Sequence, residues 1–150
     1  MTKILHPLAG ITAFLIILGF WVSTLAVELF GPQSAIVAVK TTIPWLFVIL
    51  IPALATVGAT GFIRTKGRGG RVIDAKKRRM PFIAANGLLV LVPAALFLAS
   101  RANAGLFDTG FYVIQGVELL AGAVNLTLLG LSMRDGFRLT GRFRRRRAVR

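Results

Sequence analysis

The sequence predicts an all-α, polytopic membrane protein, a four-transmembrane-helix bundle with its N and C termini in the cytoplasm. Three observations predict it. Residues 7–29, 41–63, 81–100 and 109–133 are long apolar stretches. Crossing a hydrocarbon core takes roughly 20 such residues at about 1.5 Å of rise each. With 55% hydrophobic residues and a mean hydropathy of +0.75, a chain of 150 residues keeps almost nothing for a soluble domain. The third observation is the charge. Of 19 Lys and Arg residues, Lys3, eight in residues 64–79 and eight after Met133 would share one membrane face, leaving only Lys40 and Arg101 for the other. Such asymmetry is the positive-inside pattern and allows one orientation, in the inner (plasma) membrane.

Taken in order, the first helix begins near Pro7, where the missing N–H has no partner to lose. Its basic start and Thr24-Leu25-Ala26 invite a signal-peptide reading. An h-region has only about 7 to 15 residues, so a retained helix is expected. Gly31-Pro32 breaks the chain, and an outer loop of about ten residues, ending at Lys40, is expected before the second helix. That helix carries Pro44 in its first turn and Pro52 near its middle. A kink is expected at Pro52, with Thr56 and Thr60 supplying compensating hydroxyls.

The basic cytoplasmic loop, 64–80, contains Gly67, Gly69 and Gly70, and then Asp74 as the cap of a short turn. Lys76, Lys77, Arg78 and Arg79 on that turn, with Arg144, Arg145, Arg146 and Arg147 of the tail 134–150, are expected to contact anionic lipid headgroups. The tail should lie extended on the membrane with Phe143 dipping into the interface. Because these blocks abut apolar spans, lipid rather than nucleic acid is the partner they imply. Pro81, Asn86-Gly87 and Pro93 punctuate the third helix, and Asp108-Thr109 caps the fourth.

The fourth helix carries the sharpest candidate site. Gln115, Glu118, Gly122 and Asn125 recur at i, i+3, i+7 and i+10 on one face, with Tyr112 a turn earlier. Glu118 would lie about 13 Å deep, where a carboxylate costs roughly 2.5–3.5 kcal/mol. The stripe must therefore face protein or water. It either fixes helix register or forms an ion, proton, ligand or partner-helix socket. On the first helix, His6, Gly10, Ile17, Trp21, Thr24 and Glu28 follow a similar line. Glu28 falls near the outer interface, where water or a cation such as Lys40 or Arg101 could meet it. Asn86 is placed to reach the bundle interior.

Zero cysteines exclude disulfides, thiolate metal sites and cysteine nucleophiles, and one histidine excludes a two-histidine haem or zinc site within one chain. His6 is only a weak metal candidate, which would need a second protomer or a ligand such as Met1, Met80, Met133 or Tyr112. No nucleotide-binding or hydrolase motif is present, so a non-enzymatic role is expected. The favoured reading is an accessory, assembly or interaction subunit of a larger membrane complex, with a membrane-protein partner or homo-oligomer. Second comes an oligomeric small-solute or proton transporter using Glu118. A redox module holding haem b or quinone is the third, since ligands for it are scarce.

Overall fold

The computed structural model describes residues 2–65 and 70–139. Arg144 to Arg147, Phe143 and Gly67 and Gly69 lie outside the described residues, as does the side chain of Lys76. Every described element is helical: α1 (Thr2–Phe30), α2 (Gln33–Thr65), α3 (Arg71–Ala85), a π-helical segment (Asn86–Leu91), α4 (Val92–Asn103) and α5 (Thr109–Leu139). Together α3, the π segment and α4 make one continuous span. Four helices, Ile4–Phe30, Gln33–Ile63, Ile73–Asn103 and Thr109–Phe137, are long and apolar enough to cross a membrane. At 27 to 31 residues each they exceed a hydrocarbon core of about 30 Å, so their ends protrude or tilt.

The first turn is far tighter than the sequence pattern leads one to expect. Only Gly31 and Pro32 separate α1 from α2, and the expected outer loop before Lys40 is helix instead. Ala35-Ile36-Val37-Ala38-Val39 is an apolar run that continues the helix backward, and Pro32 opens it by accepting from Ala35 N–H at 2.9 Å. Glycine is required at 31, because a Cβ there would lie 2.8 Å from the Val27 carbonyl oxygen. The other loop at this end of the bundle, the turn end, is closed by an Arg101–Asp108 pair at 3.0 Å. Asp108 also caps α5, its Oδ1 accepting from Phe111 N–H at 2.9 Å.

The opposite, basic end also departs from expectation. A continuous helix starts at Arg71 after Gly70, so Asp74 lies inside its first turn rather than capping a separate one. Arg79 reaches inward to Asp135 at 2.6 Å and clasps α3 to α5, while Lys77 and Arg78 are exposed. In α2, which runs through Pro44 and Pro52, the Thr56 and Thr60 hydroxyls donate to carbonyls one turn back, those of Pro52 and Thr56.

The spans form a ring. α1 packs along α2 and α5, α4 packs on α2, and α3, the π segment and α4 all pack on α5. Ala13, Ile17, Leu50, Ile83 and Leu129 form one apolar core. A second, nearer the turn end, joins Ile36, Leu98, Ala102 and Phe111. Outside, Trp45, Val48, Phe62, Leu89 and Leu120 are exposed, whereas Lys40, Gln115, Asn125, Ser132 and Asp135 are buried. An apolar exterior around polar buried groups is what a lipid solvent selects.

α1 and α5 approach each other closely at Gly122, where a Cβ would come 3.0 Å from Trp21 Cδ1. Gly122→Ala should therefore destabilise the bundle by about 1–2 kcal/mol. Gly116→Ala, which meets nothing within 4 Å, should be neutral or slightly stabilising. Thermal unfolding in detergent compares the two, and equal melting temperatures would contradict this packing.

Candidate functional site

Three helices meet around Glu118. It lies nine residues into α5, and Lys40 seven residues into α2, so both are about 10–13 Å from the turn end. Thr24, six residues before the end of α1, falls at the same level. Lys40 Nζ donates to Glu118 Oε2 in an ion pair and to Thr24 Oγ1 at 3.4 Å. Gln115 Nε2 donates to the same carboxylate oxygen at 3.2 Å. The lysine is 1% exposed and ranks among the bulkiest fully buried side chains.

Sequence reasoning named this cation only as a loop partner for Glu28 and did not place it in the candidate site beside Glu118. Its charge marks a loop when residues are read singly. The apolar run at 35–39 directly before it was the available signal that the helix begins earlier. Once Lys40 is inside α2, a carboxylate at its depth on a neighbouring helix is nearly obligatory, and Glu118 supplies it.

Glu28, one turn beyond Thr24, is half-buried and close enough to Lys40 and Glu118 to interact electrostatically with both. Its Oε1 is buried without a hydrogen-bond partner, as is Gln115 Oε1. Of the two carboxylates, Glu118 makes the ion pair with the ammonium and Glu28 lies near it, and the unmet Glu28 Oε1 and Gln115 Oε1 are acceptors. Asn125, 1% exposed, leaves both amide atoms unpartnered and faces Gly87, where a Cβ would sit 3.9 Å from Nδ2. Asn86 bonds the Ala121 carbonyl at 2.8 Å, pinning the start of the π segment to α5. Tyr112 does not join the stripe. It is 52% exposed and packs edge-on against Phe111.

Beyond the ion pair lies a cavity of about 470 Å³ reached by all four spans. Its wall is apolar, with Phe20, Phe47, Leu50, Leu54 and Leu91 among the lining residues, and Thr24, Glu118 and Asn125 are its polar members. Glu118 keeps 13% side-chain exposure there, and neither bond to its Oε2 engages Oε1. Trp21 closes part of the wall and is held by donating to the Leu119 carbonyl at 2.9 Å. The exposed lining residues, Ile51, Ala55 and Gly58 on α2 and Pro81, Ala84 and Leu88 opposite, define a mouth between α2 and the third span.

The π segment shapes that mouth. Pro93 has no N–H to offer the preceding turn. The ladder widens before it, with Val92 N–H reaching back to the Gly87 carbonyl. Turns of this kind recur where helices serve a site. At the basic end, His6 Nδ1 lies 2.8 Å from Thr60 Oγ1. The Thr60 hydroxyl hydrogen is already given to Thr56, so His6 Nδ1–H is the donor. Met80 and the His6 ring both press on Gly61. Among the described residues no cluster of three His, Asp or Glu is placed to hold a metal.

Fold and site together define a multi-pass, four-helix membrane protein with a charged pair beside a central cavity. Compared with known proteins, the chain matches no family model, no curated protein and no solved structure.

The ion pair makes a separable prediction. Lys40→Ala leaves a buried carboxylate alone and should cost about 3 kcal/mol, whereas joint Lys40→Met and Glu118→Leu should restore most of it. Urea or thermal unfolding of the three proteins checks this. A double variant as unstable as the single one would mean that the pair is not what Lys40 contributes.

Proposed function

We propose that the protein is a non-catalytic holder of a small lipid-soluble molecule, taken sideways from the bilayer into the central cavity. The observation that carries this reading is the cavity, open between α2 and the third span through a rim of apolar side chains. Its volume and its few polar groups in an apolar wall are those of small-molecule sites, which run from about 300 to 1,000 Å³. A water-soluble substrate would have to cross that rim without a polar contact.

Such a holder is a specific form of the accessory role that the sequence favours, since a protein that performs no chemistry must pass its ligand to another membrane component. Proton transport through Glu118 is less supported, because its carboxylate is paired with Lys40 and the cavity beside it is walled mostly by apolar side chains. A haem module gains nothing from His6, which is engaged with Thr60 at the basic end. In this reading the basic end faces the cytoplasm, and exposed Lys77 and Arg78 lie at headgroup level.

Two measurements check the proposal. Gly58 lines the mouth, and a Cβ added there would meet nothing within 4 Å, so a Gly58→Leu side chain starts into open space at the rim. Protein purified from native membranes should carry an extractable apolar compound that Gly58→Leu loses at unchanged melting temperature. Equal retention would remove the cavity from the account. For orientation, the cysteine-free chain permits single cysteines at Gly70 and Ala104. An impermeant thiol reagent applied to intact cells should label only position 104, and labelling of position 70 would reverse the topology.

A further inference from the structure

The chemistry at one end of the cavity specifies more than an apolar ligand. Glu28 lies near the Lys40–Glu118 ion pair, so acidic side chains outnumber the one cation in this cluster by two to one. Burying such an excess is costly unless a further cation or proton meets it. The unmet atoms agree with the charge. Glu28 Oε1 and Gln115 Oε1, behind the cavity wall, are buried acceptors without partners, and Glu118, which lines the cavity, has its Oε1 outside both bonds made by this carboxylate. Gln115 is 4% exposed and is tied into the cluster by the hydrogen bond its Nε2 donates to Glu118. The need of the site is for donors and positive charge.

Lys40 itself displays the chemistry that fits. Its aliphatic stem runs through the bundle interior and its ammonium ends on Glu118 and Thr24. A second ammonium on an apolar body would place its head beside the same carboxylate and its body along the apolar wall. A ketone, ester or quinone offers only acceptors and leaves the cluster as it was. An alcohol offers one donor and no charge.

Resting on the cavity reading above, the geometry points to a lipophilic amine, bound as its ammonium at Glu118 with its apolar body in the cavity, as the ligand class. Glu28 supplies the compensating charge without touching the Lys40–Glu118 pair that holds α2 to α5. It is a positioning residue for charge rather than a wall of the cavity.

The test uses the full-length protein in phosphatidylcholine nanodiscs, with dodecylamine and dodecanol as probes of one chain length and empty nanodiscs as background. The amine should bind at least about tenfold more tightly than the alcohol. Glu28→Gln, which keeps the ion pair, should erase most of that preference while leaving alcohol binding and melting temperature unchanged. The joint Lys40→Met, Glu118→Leu variant should erase it as well. Equal binding of both probes by the native protein would overturn the amine assignment and leave the cavity reading standing. Binding of neither probe above background would overturn both. An amine preference that survives in Glu28→Gln would overturn the charge argument.

Discussion

An ammonium and a carboxylate about 10–13 Å from the end of a membrane helix are each costly alone and tolerable together. That constraint organises the bundle. Lys40 can be buried in α2 only if α5 brings Glu118 to its level, and this fixes the relative height of two helices that are distant in sequence. Thr24 of α1 joins the same lysine, so three spans are set at one depth by one cation. Across the membrane, Arg79–Asp135 fixes α3 against α5 in the same manner. Helices whose apolar faces gain little by exchanging lipid for protein are registered by these few polar contacts.

Between the two clasps the spans separate rather than merge. α5 presents an inward line of Phe111, Gln115, Glu118, Gly122, Asn125, Leu129 and Ser132, in which small and polar groups alternate with bulk. Trp21 fills the space left by Gly122. Opposite, Pro93 interrupts the regular ladder and the turn at residues 86–91 widens before it; α2 packs along α4 beyond that turn and meets α3 at Met80 beside Gly61. The widened turn on one side and Gly58 on the other both keep the mouth open.

Much of the architecture was legible in the residues. Four spans, the Asp108 cap and the inward face of α5 follow from apolar length, a capping oxygen and 3.6-residue spacing, all of which are local properties. The ion pair was not, because it joins residues 78 positions apart, and no local pattern announces which carboxylate a lysine will meet. Lys40 read alone looks like a loop residue, and that reading also lengthened the turn after Gly31-Pro32. Tyr112 erred the other way: it is three residues before Gln115, yet Phe111 carries the inward line at that turn and Tyr112 stands about 100° around the helix from it, at the surface. Asn86 and Asn125 were recognisable as interior amides. That one is bonded and the other is not depends on the π segment, which no spacing rule places.

Why such a cavity should persist is itself a physical question. In water, an apolar void in a protein is closed by the same force that builds the core. Within a bilayer, acyl chains solvate the outer surface as well as other side chains do, so collapse gains little and packing geometry decides. The rim formed by Ile51, Ala55, Pro81 and Leu88 meets hydrocarbon, which makes exchange with the membrane easier than exchange with water. The charged pair lies at one end of that space, on the side of the turns. A molecule entering from the lipid would meet apolar wall first and Glu118 last, so affinity would come from the body and selection from the head. Selection of that order requires the head group to be desolvated before it is recognised, and a fixed lysine–carboxylate cluster is the kind of partner that can recompense it.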